Sequence, residues 1–330
     1  MTTMKLLPAK EFIVDATKRI RSAEKRIAVL AMVVADHPST HDFFEALFDA
    51  ARRGVDVHVA ADIFTYGEVS GSFLPIRYYS KKSRNTTSMS KRLREAGVKF
   101  HWLGRSHTTI ISGRTHSKWC VVDDISYTFG GVNLYQEGIE KNVDYMFKVS
   151  SAKLSESLFN EHIRLERADR SGRLQKSRQF DDNNNHILID GGIFGNSIIY
   201  HRACDLASSA KSIVFVSQYP PTSKLARLIL EKSHKLYFNR PKNASFVNRF
   251  VIRASMFRSN VQTSYRRQRY LHAKCLIFYM PDGSRVAITG SHNFNFTGVV
   301  LGTREIALET RDSAIIDQLE AFIRTEIATN

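Results

Sequence analysis

The chain repeats one local pattern in each half, an amphipathic helix followed by an apolar strand, and this repeat is the strongest constraint on its fold. In the first half, apolar residues recur at helical spacing over 12–23, and the β-rich run 27–34 follows. In the second half, the same spacing covers 198–210, and the apolar run 213–217 follows. The matching order predicts that both halves fold in the same way.

The pattern continues with a second helix and a second strand in each half. Amphipathic spacing predicts helices at 40–53 and 222–235, and apolar runs predict strands near 55–60 and 250–254. Alternating helices and strands are typical of parallel βαβ units, in which helices cover a sheet. We therefore expect a duplicated α/β architecture.

The length of the chain also favours two domains. A chain of 330 residues is long for one hydrophobic core, because domains usually hold about 100 to 200 residues. A polar, arginine-rich stretch that ends in the run DDNNN separates the two repeats, and such composition is typical of a linker. The sequence thus predicts a first domain at 1–165, a linker at 166–185 and a second domain at 186–330.

The charge balance points to a polyanionic partner. The chain has 48 Lys and Arg against 32 Asp and Glu, a formal net charge of +16. Such an excess attracts nucleic acid or an anionic phospholipid membrane surface, and it does not choose between them. The helix predicted at 9–26 carries basic residues beside its apolar stripe, which suits a membrane surface, although covering the sheet explains the same stripe.

The segment 66–94 is polar and strongly basic. Its basic and aromatic residues include Arg77, Tyr78, Tyr79, Lys81, Lys82, Arg84, Lys91, Arg92 and Arg94. Basic side chains interleaved with aromatic rings suit phosphates and bases, so the segment is predicted to be a substrate-facing lid or a nucleic-acid contact. A solvated surface loop is the alternative.

The three cysteines and the N-terminal sequence indicate a cytoplasmic protein. Cys120, Cys204 and Cys275 are scattered and have no metal-ligand spacing, so we expect reduced thiols. Cys120 and Cys275 are predicted to be small apolar strand residues that face the core rather than nucleophiles. The start of the chain has no signal-peptide core, and the longest apolar run, 27–35, is far shorter than the roughly 20 residues that span a bilayer.

The strongest chemical signal is a His-x-Lys motif at His116 and Lys118. Residues two apart on a strand point the same way, so both side chains are expected on one face of a predicted strand. Asp123 lies at the end of that strand, and Gly131 and Asn133 follow on a predicted neighbouring strand.

A second copy of the motif lies in the other half. His272 and Lys274 are again two apart, a turn is predicted at 281–283, and Ser291 and Asn293 follow. A single His-x-Lys pair occurs by chance in many chains. Each copy is followed by a glycine and, three residues after it, an asparagine, so chance is a poor explanation.

These motifs resemble the phospholipase D superfamily, whose pattern is His-x-Lys, four residues, Asp, six residues, Gly-Gly or Gly-Ser, one residue and Asn. The first copy fits without a gap. In the second copy Tyr279 occupies the Asp position, and four extra residues, Asp282 among them, lengthen the turn. The resemblance implies two similar phospholipase D-like α/β-sandwich domains, with pseudo-twofold symmetry and one shared active site.

The resemblance also implies roles for the motif residues. One histidine attacks phosphorus and the other protonates the leaving oxygen. The family assigns the first role to His116 and the second to His272, although the symmetry of the motifs allows the reverse. Fixed donors around the phosphoryl oxygens would replace a metal, so no metal or cofactor is implied. These donors would be Lys118, Lys274, Asn133 and Asn293.

Acidic and basic residues complete the predicted site. Asp144 lies 28 residues after His116 and Glu305 lies 33 residues after His272, where the family places an acid that supports a catalytic histidine. Such a carboxylate would fix the tautomer of the ring and favour its charged form. Substrate contacts are predicted at Gly131, Ser291, Arg266, Arg267 and Arg269.

The subgroup similarity favours a lipid substrate. The segments TFGGVNL and NVDYMFKV are similar to bacterial cardiolipin synthases, so we expect transfer of a phosphatidyl group to an alcohol acceptor, or to water in a hydrolase. The alternative is a metal-independent nuclease, which the net charge and the cluster YRRQRY before His272 favour. A catalytically silent binding protein is a third possibility.

Overall fold

The computed structural model describes residues 3–71, 79–104, 113–182 and 185–328. The chain divides into two compact units, which we call unit 1 and unit 2. Unit 1 comprises Met1–Thr128, Val132–Lys141 and Met146–Gln175, and unit 2 comprises Phe129–Gly131, Asn142–Tyr145 and Lys176–Asn330. Two short segments of the first half therefore belong to the unit of the second half.

A seven-stranded mixed sheet forms the centre of unit 1. Its elements are β1 (Thr3–Pro8), α1 (Ala9–Arg21), β2 (Arg26–Ala31), α2 (Pro38–Arg52), β3 (Asp56–Asp62), α3 (Thr65–Ser70), α4 (Lys81–Glu95), β4 (Lys99–Leu103), β5 (Trp119–Val122), β6 (Ile125–Thr128), β7 (Tyr145–Ser150) and α5 (Ala152–Arg170). The strand order is β1-β7-β6-β5-β2-β3-β4. The pairs β2–β3 and β3–β4 are parallel, whereas β5 pairs antiparallel with β2 and β6.

The apolar pattern of the sequence explains these elements. Residues 27–31 of β2 are all buried, as expected for a central strand covered on both faces. In α1, Phe12, Ile13, Ala16 and Ile20 form a buried stripe at helical spacing. The sheet and α1 share one hydrophobic core.

Unit 2 has the same central architecture. Its elements are β8 (Arg178–Asp182), β9 (Asn185–Gly191), α6 (Ile198–Ser209), β10 (Ser212–Val216), α7 (Ser223–Leu230), β11 (Ser233–Tyr237), α8 (Phe246–Ser259), β12 (Cys275–Tyr279), β13 (Arg285–Gly290), α9 (Phe296–Leu301), β14 (Arg304–Thr310) and α10 (Ser313–Phe322). The strand order is β11-β10-β12-β13-β14-β9-β8. Only the β10–β11 pair is parallel among the registers of this sheet.

The two sheets share six strands in the same order. Strands β1, β7, β6, β5, β2 and β3 of unit 1 correspond to β9, β14, β13, β12, β10 and β11 of unit 2. Each unit adds one edge strand, β4 in unit 1 and β8 in unit 2, at opposite ends of the common order. The predicted duplicated α/β fold is confirmed, with mixed rather than parallel sheets.

The stretch predicted as a linker, 166–185, includes the boundary between the two units after Gln175, and it also contains regular structure. Helix α5 continues to Arg170, and β8 pairs with β9 from Arg178 to Asp182. The irregular connection between them is therefore short. The sequence is polar there because the end of α5 and an edge strand both face solvent on one side.

Two further element predictions are wrong in the second half. The helix predicted at 222–235 ends at Leu230, and 233–237 form the edge strand β11, whose first three residues are exposed. The strand predicted at 250–254 lies inside α8. Its three consecutive apolar residues suggested a buried strand, but only Ile252 among them is buried.

The basic segment 66–94 is not an irregular loop where it is described. Residues 81–95 form α4, which Ser80 caps by accepting a hydrogen bond from the Ser83 backbone N–H (3.1 Å). Met89 and Leu93 anchor one face of α4 in the core. Arg77 and Tyr78, which were predicted substrate contacts, lie outside the described residues.

The cysteine prediction is confirmed. Cys120 and Cys275 are buried strand residues in β5 and β12. Burial raises the pKa of the Cys275 thiol to about 12 and raises that of Cys120 as well. Neither thiol is therefore a nucleophile near neutral pH.

Candidate active site

Both His-x-Lys motifs lie directly before a strand rather than inside one. Strand β5 begins at Trp119 and β12 begins at Cys275, one residue after the motif lysine in each case. The side chain of each lysine folds back along the motif. Lys118 Nζ donates to the His116 carbonyl oxygen (2.6 Å), and Lys274 Nζ donates to the His272 carbonyl oxygen in the same way.

The segment before His116 is held by a residue that sequence reasoning missed. Asp62, at the end of β3, is fully buried and accepts hydrogen bonds from the Thr115 backbone N–H and from Arg114 Nη1, both 2.9 Å long. Burial raises the pKa of Asp62, although the charge of Arg114 opposes this. An acidic residue that ends the apolar run VHVAA is the signal that would have found it.

Asn133 also lies in unit 1, shortly after β6. Its side chain is buried, and its Oδ1 accepts a hydrogen bond from the Val33 backbone N–H (3.2 Å). This bond fixes the carboxamide oxygen, so the amide group has a defined orientation at the end of β2.

In unit 2, Asp144 supports His272. The Nδ1 atom of His272 lies 2.6 Å from Asp144 Oδ2, and the carboxylate also accepts hydrogen bonds from the backbone N–H groups of Tyr145 (2.9 Å) and Gly131 (3.2 Å). Because Nδ1–H donates to the acid, Nε2 is the nitrogen that remains for chemistry. Asp144 follows the first motif in sequence, yet its partner is the histidine of the second.

The charges around this pair favour an ionised carboxylate. Burial opposes ionisation, but the hydrogen bond from His272 and the charges of His272 and Lys274 hold the pKa of Asp144 below its usual value. A buried carboxylate of this kind stabilises the charged form of the histidine to which it is bonded. The geometry therefore suits His272 as a proton donor.

Lys274 is fully buried beside this pair. Its Nζ lies 3.2 Å from His272 Nδ1, in addition to its bond to the His272 carbonyl. Burial lowers the pKa of Lys274 to about 8, although the charges of Asp144 and Glu305 oppose this fall. The lysine therefore loses its charge close to physiological pH.

Gly131, predicted to bind substrate, makes room for the acid and the lysine. A Cβ atom at this position would lie 2.6 Å from Asp144 Oδ2 and 2.9 Å from Lys274 Nζ. Its backbone N–H is already donated to Asp144. The absence of a side chain at Gly131 therefore leaves room for the acid and the lysine, and its contact with substrate stays a prediction.

Ser291 occupies the corresponding position of the second motif. It is buried, and its hydroxyl donates to Glu305 Oε2, while its backbone N–H donates to the Ile306 carbonyl (2.9 Å). Ser291 therefore contacts the acid Glu305, and its predicted contact with substrate stays a prediction. Glu305, on β14, is buried close to Asp190, whose pKa rises to about 7 through burial and the charge of Glu305.

Asn293 follows two residues after Ser291. Its backbone carbonyl accepts a hydrogen bond from the Ser217 hydroxyl (2.8 Å), which ties the segment to the end of β10. Its side-chain oxygen is buried and has no hydrogen-bond partner in the described part of the chain. A buried polar atom without a partner is uncommon in a folded protein, and a catalytic or binding role is one of its physical explanations.

Asp123 has a structural role rather than the predicted catalytic one. It lies at the far end of β5 from the motif, in the turn before β6, with a left-handed backbone (φ 51°). Its carboxylate accepts hydrogen bonds from the backbone N–H groups of Glu24 (3.0 Å), Lys25 (2.9 Å) and Arg26 (3.0 Å). These bonds fasten the β5–β6 hairpin to the start of β2.

Two of the three arginines predicted to bind substrate are used to hold the fold. Arg267 donates to the backbone carbonyls of Thr325 (2.6 Å) and Ala328 (2.9 Å), and Arg269 donates to that of Asn142 (2.8 Å). Arg266 also donates to a backbone carbonyl, that of Thr263 (2.6 Å), and in addition it lines an open cavity of about 440 Å³.

A polar cluster in unit 1 has the composition of a metal site. Within the described residues, His58, His162 and Glu166 place potential ligand atoms within 4.8 Å of one another. However, the indole N–H of Trp119 donates to His162 Nδ1 (3.2 Å), so the neutral ring carries its proton on Nε2, which faces Glu166 at 3.3 Å. A metal ion would need that proton removed, so we assign the cluster to the packing of α5 on β3.

Comparison with known proteins agrees with this fold. A family model described as "Cardiolipin synthase, PLD-like domain", where PLD stands for phospholipase D, matches residues 16–165. No curated protein sequence matches the chain. In the described part of the chain, no helix is both long enough and apolar enough to span a bilayer.

Two solved structures share the fold over nearly the whole chain. Phosphatidylserine synthase from Haemophilus influenzae Rd KW20 matches with a TM-score of 0.74 and 16% identity, over 98% of this chain and 86% of that one. Polyphosphate kinase from Porphyromonas gingivalis matches with a TM-score of 0.62 and 13% identity, over 99% of this chain and 51% of that one. Residues 16–165 are thus similar to a phospholipase D-like domain, and the fold of nearly the whole chain is shared with these two solved structures.

Proposed function

We propose that this protein is a phosphatidyltransferase that moves a phosphatidyl group to an alcohol acceptor through a phosphohistidine, with water as an alternative acceptor. The arrangement of Asp144, His272 and Lys274 carries the proposal. A histidine whose Nδ1 is held by a buried carboxylate presents Nε2 in a fixed orientation, as an acid or a nucleophile must.

The two histidines divide the reaction into two balanced steps. His116 Nε2 forms a bond to phosphorus while the bond from phosphorus to the leaving oxygen breaks, and His272 gives its proton to that oxygen. The acceptor hydroxyl then returns a proton to His272 and attacks phosphorus as the bond to His116 breaks. The pairing of His272 with Asp144 supports its role as the acid, whereas the role of His116 rests on the family resemblance.

The lipid substrate is supported by two similarities of different kinds. The family model that matches the first half describes a cardiolipin synthase domain, and the fold is shared with a phosphatidylserine synthase. The basic cluster before His272 suits a nucleic-acid backbone as well as a lipid phosphate, because Arg266, Arg267 and Arg269 all donate to backbone carbonyls and keep their positive charge. Nucleic-acid cleavage is therefore treated as a competing outcome of the test.

The test is a parallel assay in EDTA. Purified protein is incubated with phosphatidylglycerol vesicles that carry a radioactive label at phosphorus, and separately with labelled single- and double-stranded DNA and RNA. We expect cardiolipin, or phosphatidic acid when water is the acceptor, and an acid-labile, base-stable label on the protein that marks a phosphohistidine. Nucleic-acid cleavage with unchanged lipid would overturn the proposal.

Three histidine variants serve as controls in the same assay. His116→Ala and His272→Ala should both lose product formation, whereas His234→Ala changes an exposed histidine of β11 and should retain it. Retained activity in His116→Ala and His272→Ala would contradict the mechanism and point to a contaminating enzyme.

A further inference from the structure

The second unit contains a long stretch without any acidic residue. Between Glu231 and Asp282 the chain has no Asp or Glu, although it contains many Lys and Arg residues. Helix α8 lies in the middle of this stretch. A surface built from such a segment carries a positive charge that no neighbour in sequence offsets.

Helix α8 exposes aromatic side chains on its outer face. Phe250 is 73% exposed and Phe257 is 92% exposed, and residues seven apart lie on the same side of a helix. Ile252, on the opposite side, is fully buried and fixes which face looks outward. Exposing two phenylalanine rings side by side to water is unfavourable in free energy, and soluble monomeric proteins rarely have such apolar patches.

Cationic residues flank these two rings. Arg253 and Arg258 are exposed and lie on either side of the line from Phe250 to Phe257, and Ala254 lies between them. We call Phe250, Arg253, Ala254, Phe257 and Arg258 the α8 face. Apolar side chains that project from the centre of a basic helix face are typical of helices that lie in the interface of an anionic membrane.

The cavity beside the α8 face is also cationic. It is lined by Arg240, Lys242, Arg253 and Arg266, and no acidic side chain lines it within the described residues. Arg240 and Arg266 donate to backbone carbonyls, those of Arg266 and Thr263, rather than to carboxylates. Their positive charges are therefore available to a phosphate group.

The start of α8 is connected to the second motif. Asn248 Oδ1 accepts a hydrogen bond from the Tyr219 hydroxyl (2.8 Å), and Gln218 Nε2 donates to both Tyr219 (2.9 Å) and Tyr270 (3.0 Å). Tyr270 is two residues before His272. A surface on α8 is thus joined through three polar side chains to the segment that carries the histidine.

We propose that the α8 face and the adjacent cationic cavity dock unit 2 onto a bilayer rich in anionic phospholipid. The phenylalanines enter the interface between headgroups and acyl chains, and the cavity binds a lipid phosphate. The docking surface extends the proposed function, because a phosphatidyl substrate is reached at a bilayer. Vesicle binding does not require turnover, so the failure of one proposal is distinguishable from the failure of the other.

The first experiment measures co-sedimentation with vesicles of phosphatidylglycerol and phosphatidylcholine, and with vesicles of phosphatidylcholine alone. The native protein should bind the anionic vesicles and lose this binding as salt is raised. Phe250→Ser combined with Phe257→Ser should weaken binding by at least about tenfold. Arg253→Gln combined with Arg258→Gln should weaken it by about fivefold per charge and reduce the salt dependence.

Matched controls separate docking from folding and catalysis. Phe194→Ser removes an aromatic ring that is 55% exposed and lies outside α8, and it should leave vesicle binding unchanged. The α8 variants should keep the native melting temperature and the native activity on a short-chain phosphatidylglycerol below its micelle concentration. Equal vesicle binding by the native protein and the Phe250→Ser/Phe257→Ser variant would overturn the proposal.

A second readout reports insertion directly. The two native tryptophans, Trp102 and Trp119, are buried, so a Phe257→Trp variant adds one exposed reporter. We expect its emission to shift to shorter wavelength on anionic vesicles and to be quenched by brominated acyl chains. If single-stranded DNA produces the shift and vesicles do not, the α8 face is a nucleic-acid surface and the membrane proposal is wrong.

Discussion

The two His-x-Lys regions are alike where the motif lies and different where the following strand ends. In both units the lysine donates to the carbonyl of the histidine two residues before it. At the other end of the strand, Asp123 in unit 1 accepts three backbone N–H groups, whereas Tyr279 in unit 2 offers its carbonyl to Lys211 N–H (2.8 Å). The two units are thus alike at the end of the strand that follows the motif, and they differ at the opposite end, where Asp123 and Tyr279 lie.

The residues after the motif differ in a related way. Gly131 leaves space for Asp144, while Ser291 fills the corresponding space and donates to Glu305. The Asp144 carboxylate also accepts hydrogen bonds from two backbone N–H groups, those of Gly131 and Tyr145. One acid is therefore held by the backbone and the other by a serine hydroxyl, which are two solutions to the same requirement for a fixed carboxylate.

The largest expected effect tests whether the two motifs are equally necessary. His116→Ala and His272→Ala should each lower kcat at least about 10³-fold, because each removes a whole catalytic function. Protein that is quenched in denaturant at alkaline pH should carry the phosphohistidine label in His272→Ala and lack it in His116→Ala. The opposite labelling pattern would reverse the assignment of nucleophile and acid.

Removing the charge of the supporting acid should have the next largest effect. Asp144→Asn keeps the shape but loses the carboxylate that holds His272, so kcat should fall about 10²-fold. The pH dependence of kcat/KM should also change, which a purely structural defect would not cause. Unchanged kinetics would show that the Asp144–His272 contact has no part in the reaction.

The alkaline limb of the pH profile should report Lys274. Its folded pKa is about 8, below the ordinary value of 10.5, so its charge and the activity should be lost as pH rises through about 8. The unfolded chain binds the Lys274 proton more tightly than the folded protein does. Between pH 8 and 10.5 the free energy of unfolding should therefore rise with pH, while the activity falls. Lys274→Arg should move the limb to higher pH. A limb unchanged in Lys274→Arg would assign it to another group.

The smallest expected effect is a loss of stability that differs between the ends of β5 and β12, where Asp123 and Tyr279 lie. Asp123→Ala should lower the free energy of unfolding by about 2 kcal/mol, because three backbone N–H groups lose a charged partner. Tyr279→Phe removes only the hydroxyl bond to Glu320 (2.9 Å) and should cost about 1 kcal/mol or less. Both variants should keep native kcat. A fall of kcat in Asp123→Ala at full stability would restore its catalytic assignment.

Much of the fold was predictable from local patterns. The central strands β2 and β10 and the helices α1 and α6 follow from apolar spacing, because each buries a regular stripe or a continuous run. The errors lie at the edge of the second sheet. Strand β11 is half exposed and α8 exposes most of its apolar residues, so neither has the burial pattern that defines its type.

The site was predictable as a set of residues but not as a set of contacts. The family resemblance placed Asp123 and Asp144, which both follow the first motif, among the candidates, and both carboxylates have defined partners in the structure. Both were predicted to be catalytic. In the structure, Asp144 is hydrogen-bonded to a histidine, whereas Asp123 accepts hydrogen bonds from three backbone N–H groups. Asp62, which holds the segment before His116, has no motif around it.

The sequence by itself determined the duplicated α/β plan, the two His-x-Lys motifs and the positive charge, because these depend on residue type and on short spacings. Only the tertiary structure decided that Asp144 supports His272, 128 residues later in the chain. It also decided that Gly131 must lack a side chain. Such pairings depend on how distant segments pack in three dimensions, and neither helical nor strand periodicity records which distant residue will fill that space.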